Sequence, residues 1–176
     1  MLQASWRPKV NPVSPEAGDL LAIFAEIAIG TVALSGITMV FVLSRQDPGE
    51  RQTGLVAAQL AMASAVVMAS VFPLLLGRYG IPETQVWMIS SGAYLAIILG
   101  LQFLRVRRGS PLQEISGNVA IITSVPGISG LTLLAANFWL RADWPYLTQL
   151  LIALGTSMVL YLYFVLSVLS QEQRSQ

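Results

Sequence analysis

The chain contains no cysteine and no histidine, and Lys9 is its only lysine. Disulfides, zinc sites with cysteine or histidine ligands, and Ser–His or Cys–His catalytic pairs are therefore excluded. A phosphate-binding loop of the G-x-x-x-x-G-K type is also missing, and the nine carboxylates are spread along the chain. We predict that the protein is not an enzyme and that it uses no metal or other cofactor.

Charged residues of both signs are scarce. They make up 11% of the 176 residues, whereas apolar residues make up 55% and the mean hydropathy is +0.67. Soluble domains carry about 25% charged residues, so a chain this short cannot bury so much apolar surface in water. The lipid bilayer is the expected partner. The net charge of +1 provides no basic surface for nucleic acid, which is excluded as a partner.

Five long apolar runs divide the chain. Crossing the hydrocarbon core requires about 20 mainly apolar residues in an α-helix, and the runs lack the alternation of barrel strands. We therefore predict an all-α integral membrane bundle of about five transmembrane helices, forming one membrane domain over residues 1–176. The predicted spans are 20–44, 55–77, 86–104, 119–140 and 146–169, with polar tails at 1–13 and 170–176.

Proline residues support the same division. A proline precedes each run, and this residue suits the first turn of a helix, where its missing N–H costs nothing. The fourth run contains Pro126-Gly127, which can kink a helix or break it. A kinked, continuous span is the expectation for 119–140, and a re-entrant segment is the alternative. The five prolines are Pro15, Pro48, Pro82, Pro111 and Pro145.

Basic residues predict the orientation of the bundle. Arg105, Arg107 and Arg108 form the densest basic cluster, and such clusters favour the cytoplasmic side. The amino terminus then lies outside and the carboxyl terminus inside, with an aromatic belt at the outer surface. An alternative role for the cluster is to hold an anionic lipid head group. The aromatic residues predicted for the belt are Trp6, Tyr79, Trp87, Trp139, Trp144 and Tyr146.

Glu26 is the only charged residue inside an apolar run. A carboxylate at membrane depth is costly and usually faces the bundle interior. We expect Glu26 to be buried against protein, near Asn137, Thr148 or Gln149 of another helix. It would either bind protons or cations, or hold helices together by hydrogen bonds. A third possibility is that Glu26 reaches the lipid head groups.

Thr31, Ser35 and Thr38 form a polar stripe on the same predicted helix as Glu26. Such a stripe can line a pore. More commonly, these hydroxyl groups bond the carbonyl four residues back or a neighbouring helix.

Small residues recur every fourth position on the second and third helices. Rows of this kind allow helix backbones to approach closely within a membrane, either inside one chain or between subunits. The sequence does not separate these two uses. The rows are Ala57, Ala61, Ala65 and Ala69 on the second helix, and Gly92, Ala96 and Gly100 on the third.

Several short features together resemble small multi-pass bacterial membrane proteins without an assigned activity. They are Ala25-Glu26, Pro73 before a leucine run, the arginines of 105–108, and Trp144-Pro145-Tyr146-Leu147. The resemblance implies location in the inner (plasma) membrane and implies no mechanism.

Two functional hypotheses follow. In the first, the chain is a non-catalytic membrane component that packs against itself, as a homo-oligomer, or against a membrane partner. In the second, it is a small channel or carrier for protons, cations or a small solute, with Glu26 and the Thr31/Ser35/Thr38 stripe in the pathway. The position of Glu26 discriminates between them.

Overall fold

A computed structural model describes residues 13–44, 50–107 and 117–174, and these residues form five α-helices. The predicted all-α class and the five-element division are confirmed. The helices are α1 (Pro15–Leu43), α2 (Glu50–Arg78), α3 (Glu83–Arg107), α4 (Gly117–Leu140) and α5 (Asp143–Arg174).

The surface of the bundle is apolar, as lipid requires. Phe41, Met68 and Leu151 expose 60–68% of their surface, and many large apolar side chains beside them are also exposed. A soluble protein rarely exposes apolar patches of this extent. Within the part of the chain that the structure describes, four helices are long and apolar enough to cross a membrane, over Pro15–Phe41, Val56–Arg78, Glu83–Phe103 and Asp143–Leu166. The protein is a helical membrane bundle.

Helix α4 continues without interruption through Pro126. Its 24 residues correspond to about 36 Å at 1.5 Å per residue, which exceeds the hydrocarbon thickness of about 30 Å. The expectation of a continuous fourth helix is confirmed, and the described residues of α4 do not form a broken, re-entrant segment.

Two short connections of the described residues, from α2 to α3 and from α4 to α5, reverse the chain. The Ser14 side chain caps α1 by accepting a hydrogen bond from the Ala17 N–H (3.2 Å), as expected for Ser before Pro at a helix start. Gly80, with φ of 75°, ends α2, and Arg141, with φ of 51°, ends α4. The left-handed conformation at these two positions reverses the chain within a few residues.

Helix α5 is the centre of the bundle, because it contacts all four other helices. Helices α1, α3 and α5 begin at one end, which we call the first end; α1 begins beside the end of α2, where Gly18 meets Leu74. The opposite end is the second end. The largest core includes Leu21, Val66, Leu134 and Leu150. A smaller cluster of Val56, Leu160 and Phe164 closes the second end.

The predicted aromatic belt is only partly correct. Tyr79, Trp139 and Trp144 lie exposed at the first end, where indole and phenol rings suit the membrane interface. Trp87 and Tyr146 instead lie in the core, with ring centroids 5.9 Å apart. Both positions fall on the inward side of their helices, so packing decides their place. Trp6 lies outside the described residues.

Candidate functional site

Glu26 is exposed on the lateral surface of α1. The expectation that it would be buried against another helix of the chain is therefore wrong. The reason is helical phase: the buried residues Leu21, Phe24 and Ala28 lie on the side of α1 that packs on α2 and α5. Position 26 falls on the opposite side at 100° per residue.

Small residues lie one turn before and one turn after Glu26 on α1, beside the exposed side chains of Ile23 and Ile29. Ala22, Gly30 and Ala33 are all exposed, and no atom of the described residues lies within 4 Å of a Cβ placed on Gly30. We call the surface formed by Ala22, Glu26, Gly30 and Ala33 the outer face of α1. Among the described residues, only α2 and α5 contact α1, and both do so from the other side.

The outer face lies at membrane depth. Helix α1 has 29 residues and is about 43 Å long, and Glu26 follows Pro15 by eleven residues, or about 16 Å. If the helix is centred on a hydrocarbon core about 30 Å thick, Glu26 lies about 10 Å inside it. At that depth a carboxylate is costly unless it faces protein or water, whereas a helix placed higher in the bilayer would bring Glu26 to the head groups.

The polar stripe faces away from Glu26. Thr31 and Ser35 are buried, and all three hydroxyl groups donate to the carbonyl four residues back on α1. The distances are 2.8 Å for Thr31 to Ile27, 2.6 Å for Ser35 to Thr31 and 2.8 Å for Thr38 to Leu34. The bonding expected of structural hydroxyls is thus observed. Glu26 and the stripe do not line one pathway, so the site proposed for a channel is not assembled within this chain.

Asn137 has partners other than Glu26. Its Nδ2 donates to Ser91 Oγ of α3 (2.8 Å), and its Oδ1 accepts the Ala142 N–H (3.0 Å). The side chain therefore joins α4 to α3 and also holds the turn into α5. Helices α1 and α4 have no contact among the described residues, which excludes Asn137 as a partner of Glu26 within one chain.

The alanine row on α2 belongs mainly to the chain's own core. Ala65 and Ala69 are buried, Ala61 is half-buried and Ala57 is exposed. The row on α3 is likewise packed against the chain's own helices at one end and exposed at the other. A Cβ on Gly92 would lie 3.2 Å from Phe138 of α4, whereas Ala96 and Gly100 are exposed.

The arginine cluster lies at the second end of the bundle. Arg107 is exposed at the end of α3. Arg105 belongs to the same helix, but the structure describes only its backbone. Arg108 lies outside the described residues. Neither the topological nor the lipid-binding interpretation is tested by these positions.

The polar centre of the bundle was not recognised in the sequence. The Tyr146 hydroxyl donates to the Ala69 carbonyl (2.6 Å), and Gln149 lies so close to Gly130 that any side chain at position 130 would overlap its amide. One signal could have revealed the first contact. Pro73 has no N–H, so the carbonyl four residues earlier, at Ala69, needs another donor.

The described residues contain no group of three or more acidic, histidine or cysteine side chains able to hold a metal ion. Comparison of the chain with protein-family models, curated proteins and solved structures finds no match. The arrangement of the chain's own residues is therefore the basis for any functional conclusion.

Proposed function

We propose that the protein is a non-catalytic multi-pass membrane component that assembles with a second copy of itself through the outer face of α1. The observation that supports this proposal is Glu26, a carboxyl group on the lateral surface at membrane depth. An intramembrane ionisable group almost always faces protein or water. Since the described residues of this chain cover only the other side of α1, we infer that the cover comes from another molecule.

A second copy suits the chemistry of this face. Small residues on both sides of Glu26 allow a second helix backbone to approach closely. In a two-fold interface, a residue near the axis meets its own counterpart. The two Glu26 side chains would then face each other across the interface, and each would cover the other from lipid. No lysine or arginine lies in any of the five predicted apolar runs, so a second copy offers a carboxyl group rather than a cation.

Cysteine cross-linking tests the interface directly, because the natural chain contains no cysteine. Ala22→Cys and Gly30→Cys should form disulfide-linked dimers on mild oxidation in native membranes. Leu151→Cys is the matched control, since Leu151 is 60% exposed on another helix that begins at the same end. Dimers at all three positions would indicate random collision, and their absence at Ala22 and Gly30 would refute self-assembly through this face.

Variants of Glu26 test the role of the carboxyl group. Glu26→Gln should preserve the dimer, because an amide also hydrogen-bonds across a helix interface, whereas Glu26→Leu should reduce the cross-linked fraction. A cross-linked product with a different membrane protein, in place of the dimer, would show that the outer face binds a partner. Loss of ion flux in vesicles with Glu26→Gln would support the channel hypothesis instead.

The location and orientation belong to this proposal. The arginines of 105–108 support an inner-membrane protein with its second end in the cytoplasm and its amino terminus outside. Reporter fusions after residues 47, 80, 109 and 143 should then alternate between compartments. Identical signals at 109 and 143 would contradict a crossing by α4.

A further inference from the structure

The inward face of α5 carries several buried polar residues among apolar ones such as Leu150 and Leu154. Tyr146, Gln149 and Ser157 are at most 4% exposed, and they share one face of the helix with the small residue Ala153. Towards the second end, the same face continues with the apolar residue Leu160, which is also buried. Polar side chains in the middle of a membrane bundle require hydrogen-bond partners, because lipid provides none.

Five polar atoms in this interior have no hydrogen-bond partner among the described residues. Each belongs to a side chain that is at least 96% buried. Native proteins rarely leave such groups unpaired, and a bound molecule is a usual explanation. The atoms are Gln59 Nε2, Ser90 Oγ, Tyr94 OH, Gln149 Oε1 and Ser157 Oγ.

These atoms occupy two levels of the bundle. The ring of Tyr94 lies 6.1 Å from that of Tyr146, and Gln149 follows Tyr146 by one turn and lies against Gly130 of α4, so the first level lies where α3 and α4 meet α5. The contact of Tyr146 with Ala69 aligns α5 with α2. Ser157 lies eleven residues along α5 from Tyr146, about 16 Å, and Gln59 lies ten residues back along α2 from Ala69, about 15 Å, so both fall at a second level.

The unpaired serines differ from other hydroxyls of the bundle. Ser70 on α2 bonds back to the Val66 carbonyl (2.9 Å), and Thr156 on α5 bonds back to the Ile152 carbonyl (2.8 Å). Ser90 and Ser157 make no such bond and remain unpaired. Since a serine in a helix can satisfy itself locally, their side chains are directed towards something other than their own backbone.

The chemistry of the interior defines the ligand class. The buried polar side chains of the described residues are hydroxyls and amides, and no ionised side chain is buried with them. Hydroxyls and amides both donate and accept hydrogen bonds. An ion would lack a counter-charge here, whereas a small uncharged molecule with a donor and an acceptor would be matched.

We propose that the inward face of α5 is a binding site for small uncharged hydrogen-bonding molecules, either water or a solute with hydroxyl or amide groups. Tyr94, Gln149 and Ser90 bind at the first level, and Gln59 and Ser157 bind at the second. Apolar clusters close both ends, with Trp87 and Val86 at the first end and Leu160 and Phe164 at the second.

Solid-state NMR of the full chain in lipid vesicles tests the site. Polarisation transfer from water should reach the side-chain amides of Gln149 and Gln59. Asn137 is the matched control, because its amide is equally buried but is paired within the chain, and it should receive at least threefold less. Carbon-13-labelled urea or glycerol, added to the same vesicles, distinguishes water from a solute as the ligand. If Gln149 and Gln59 receive polarisation from the labelled compound and not from water, the ligand is a solute.

Equal and negligible transfer to Gln149, Gln59 and Asn137 from water and from both solutes would overturn the proposal. A second measurement uses Gln149→Leu, which removes the unpaired oxygen at similar volume. In a dry interior this change raises the melting temperature, because an unpaired polar group is lost. In an occupied site it lowers the melting temperature, because the bound molecule loses a hydrogen-bond partner, and a rise would contradict the proposal.

Discussion

The hydroxyl of Tyr146 donates a hydrogen bond to the Ala69 carbonyl, the carbonyl that Pro73 deprives of its helical donor. Proline at position 73 has no N–H, so the oxygen four residues earlier would otherwise be unpaired inside the bundle. A side chain of α5 thus supplies the hydrogen-bond donor that the backbone of α2 lacks. This contact also sets the register between α2 and α5, and with it the levels of the polar interior.

Tyr146→Phe tests whether the hydroxyl compensates for the missing N–H of Pro73. We expect the free energy of unfolding to fall by about 1 kcal/mol, within the range measured for hydrogen bonds between membrane helices. In a Pro73→Ala background, residue 73 supplies its own N–H to Ala69, so Tyr146→Phe should cost much less. Unfolding of all four proteins in mixed micelles measures the coupling. Equal costs in the two backgrounds would show that the hydroxyl does not compensate for Pro73.

We predict that the close approach of Gln149 requires glycine at position 130. A Cβ at position 130 would overlap the end of the Gln149 side chain, which can shift, so Gly130→Ala should destabilise the bundle by about 1 kcal/mol, the low end for overpacking. Gly127→Ala is the matched control, because no atom of the described residues beyond its own stretch of helix lies within 4 Å of its added Cβ. Thermal melting should show a loss only for Gly130→Ala, and Gln149→Ala in the same chain should restore part of it. Equal melting of the two glycine variants would contradict the contact.

Asn137 is predicted to stabilise the junction of α3, α4 and α5. Asn137→Ala leaves Ser91 Oγ and the Ala142 N–H without their partner, which should cost about 1–3 kcal/mol. Thr132→Ala is the control, since that exposed hydroxyl bonds only to its own helix. If both variants melt alike, the network at Asn137 contributes no measurable stability.

The alanine row on α2 should respond to its two environments. Ala65→Leu adds volume to a position that is 7% exposed and should cost about 1–3 kcal/mol. Ala57→Leu, on an exposed part of the same row, should leave stability and particle size unchanged. Melting and size-exclusion chromatography of the detergent-solubilised variants measure both. A change of particle size with Ala57→Leu would show that this end of the row contacts another molecule.

The positions of the helices could be predicted from the sequence because they depend on local properties. An apolar run long enough to cross lipid must satisfy its backbone internally, and proline marks the beginning of each run. Ser14 before Pro15 capped α1 as predicted. The hydrogen bonds of the Thr31, Ser35 and Thr38 hydroxyls could be predicted for the same reason. A bond to the carbonyl four residues back depends on one helix only.

The side of each helix that faces protein was decided only by tertiary structure. In lipid both sides of a helix are apolar, so hydrophobic periodicity does not identify the inward side as it does in water. For this reason the sequence suggested burial for Glu26 and exposure for Trp87 and Tyr146, and the structure shows the reverse. The sequence alone therefore determined a five-helix membrane chain with one intramembrane carboxyl group. The packing of α1 on α2 and α5 decided that this group faces outward and that the polar centre lies along α5.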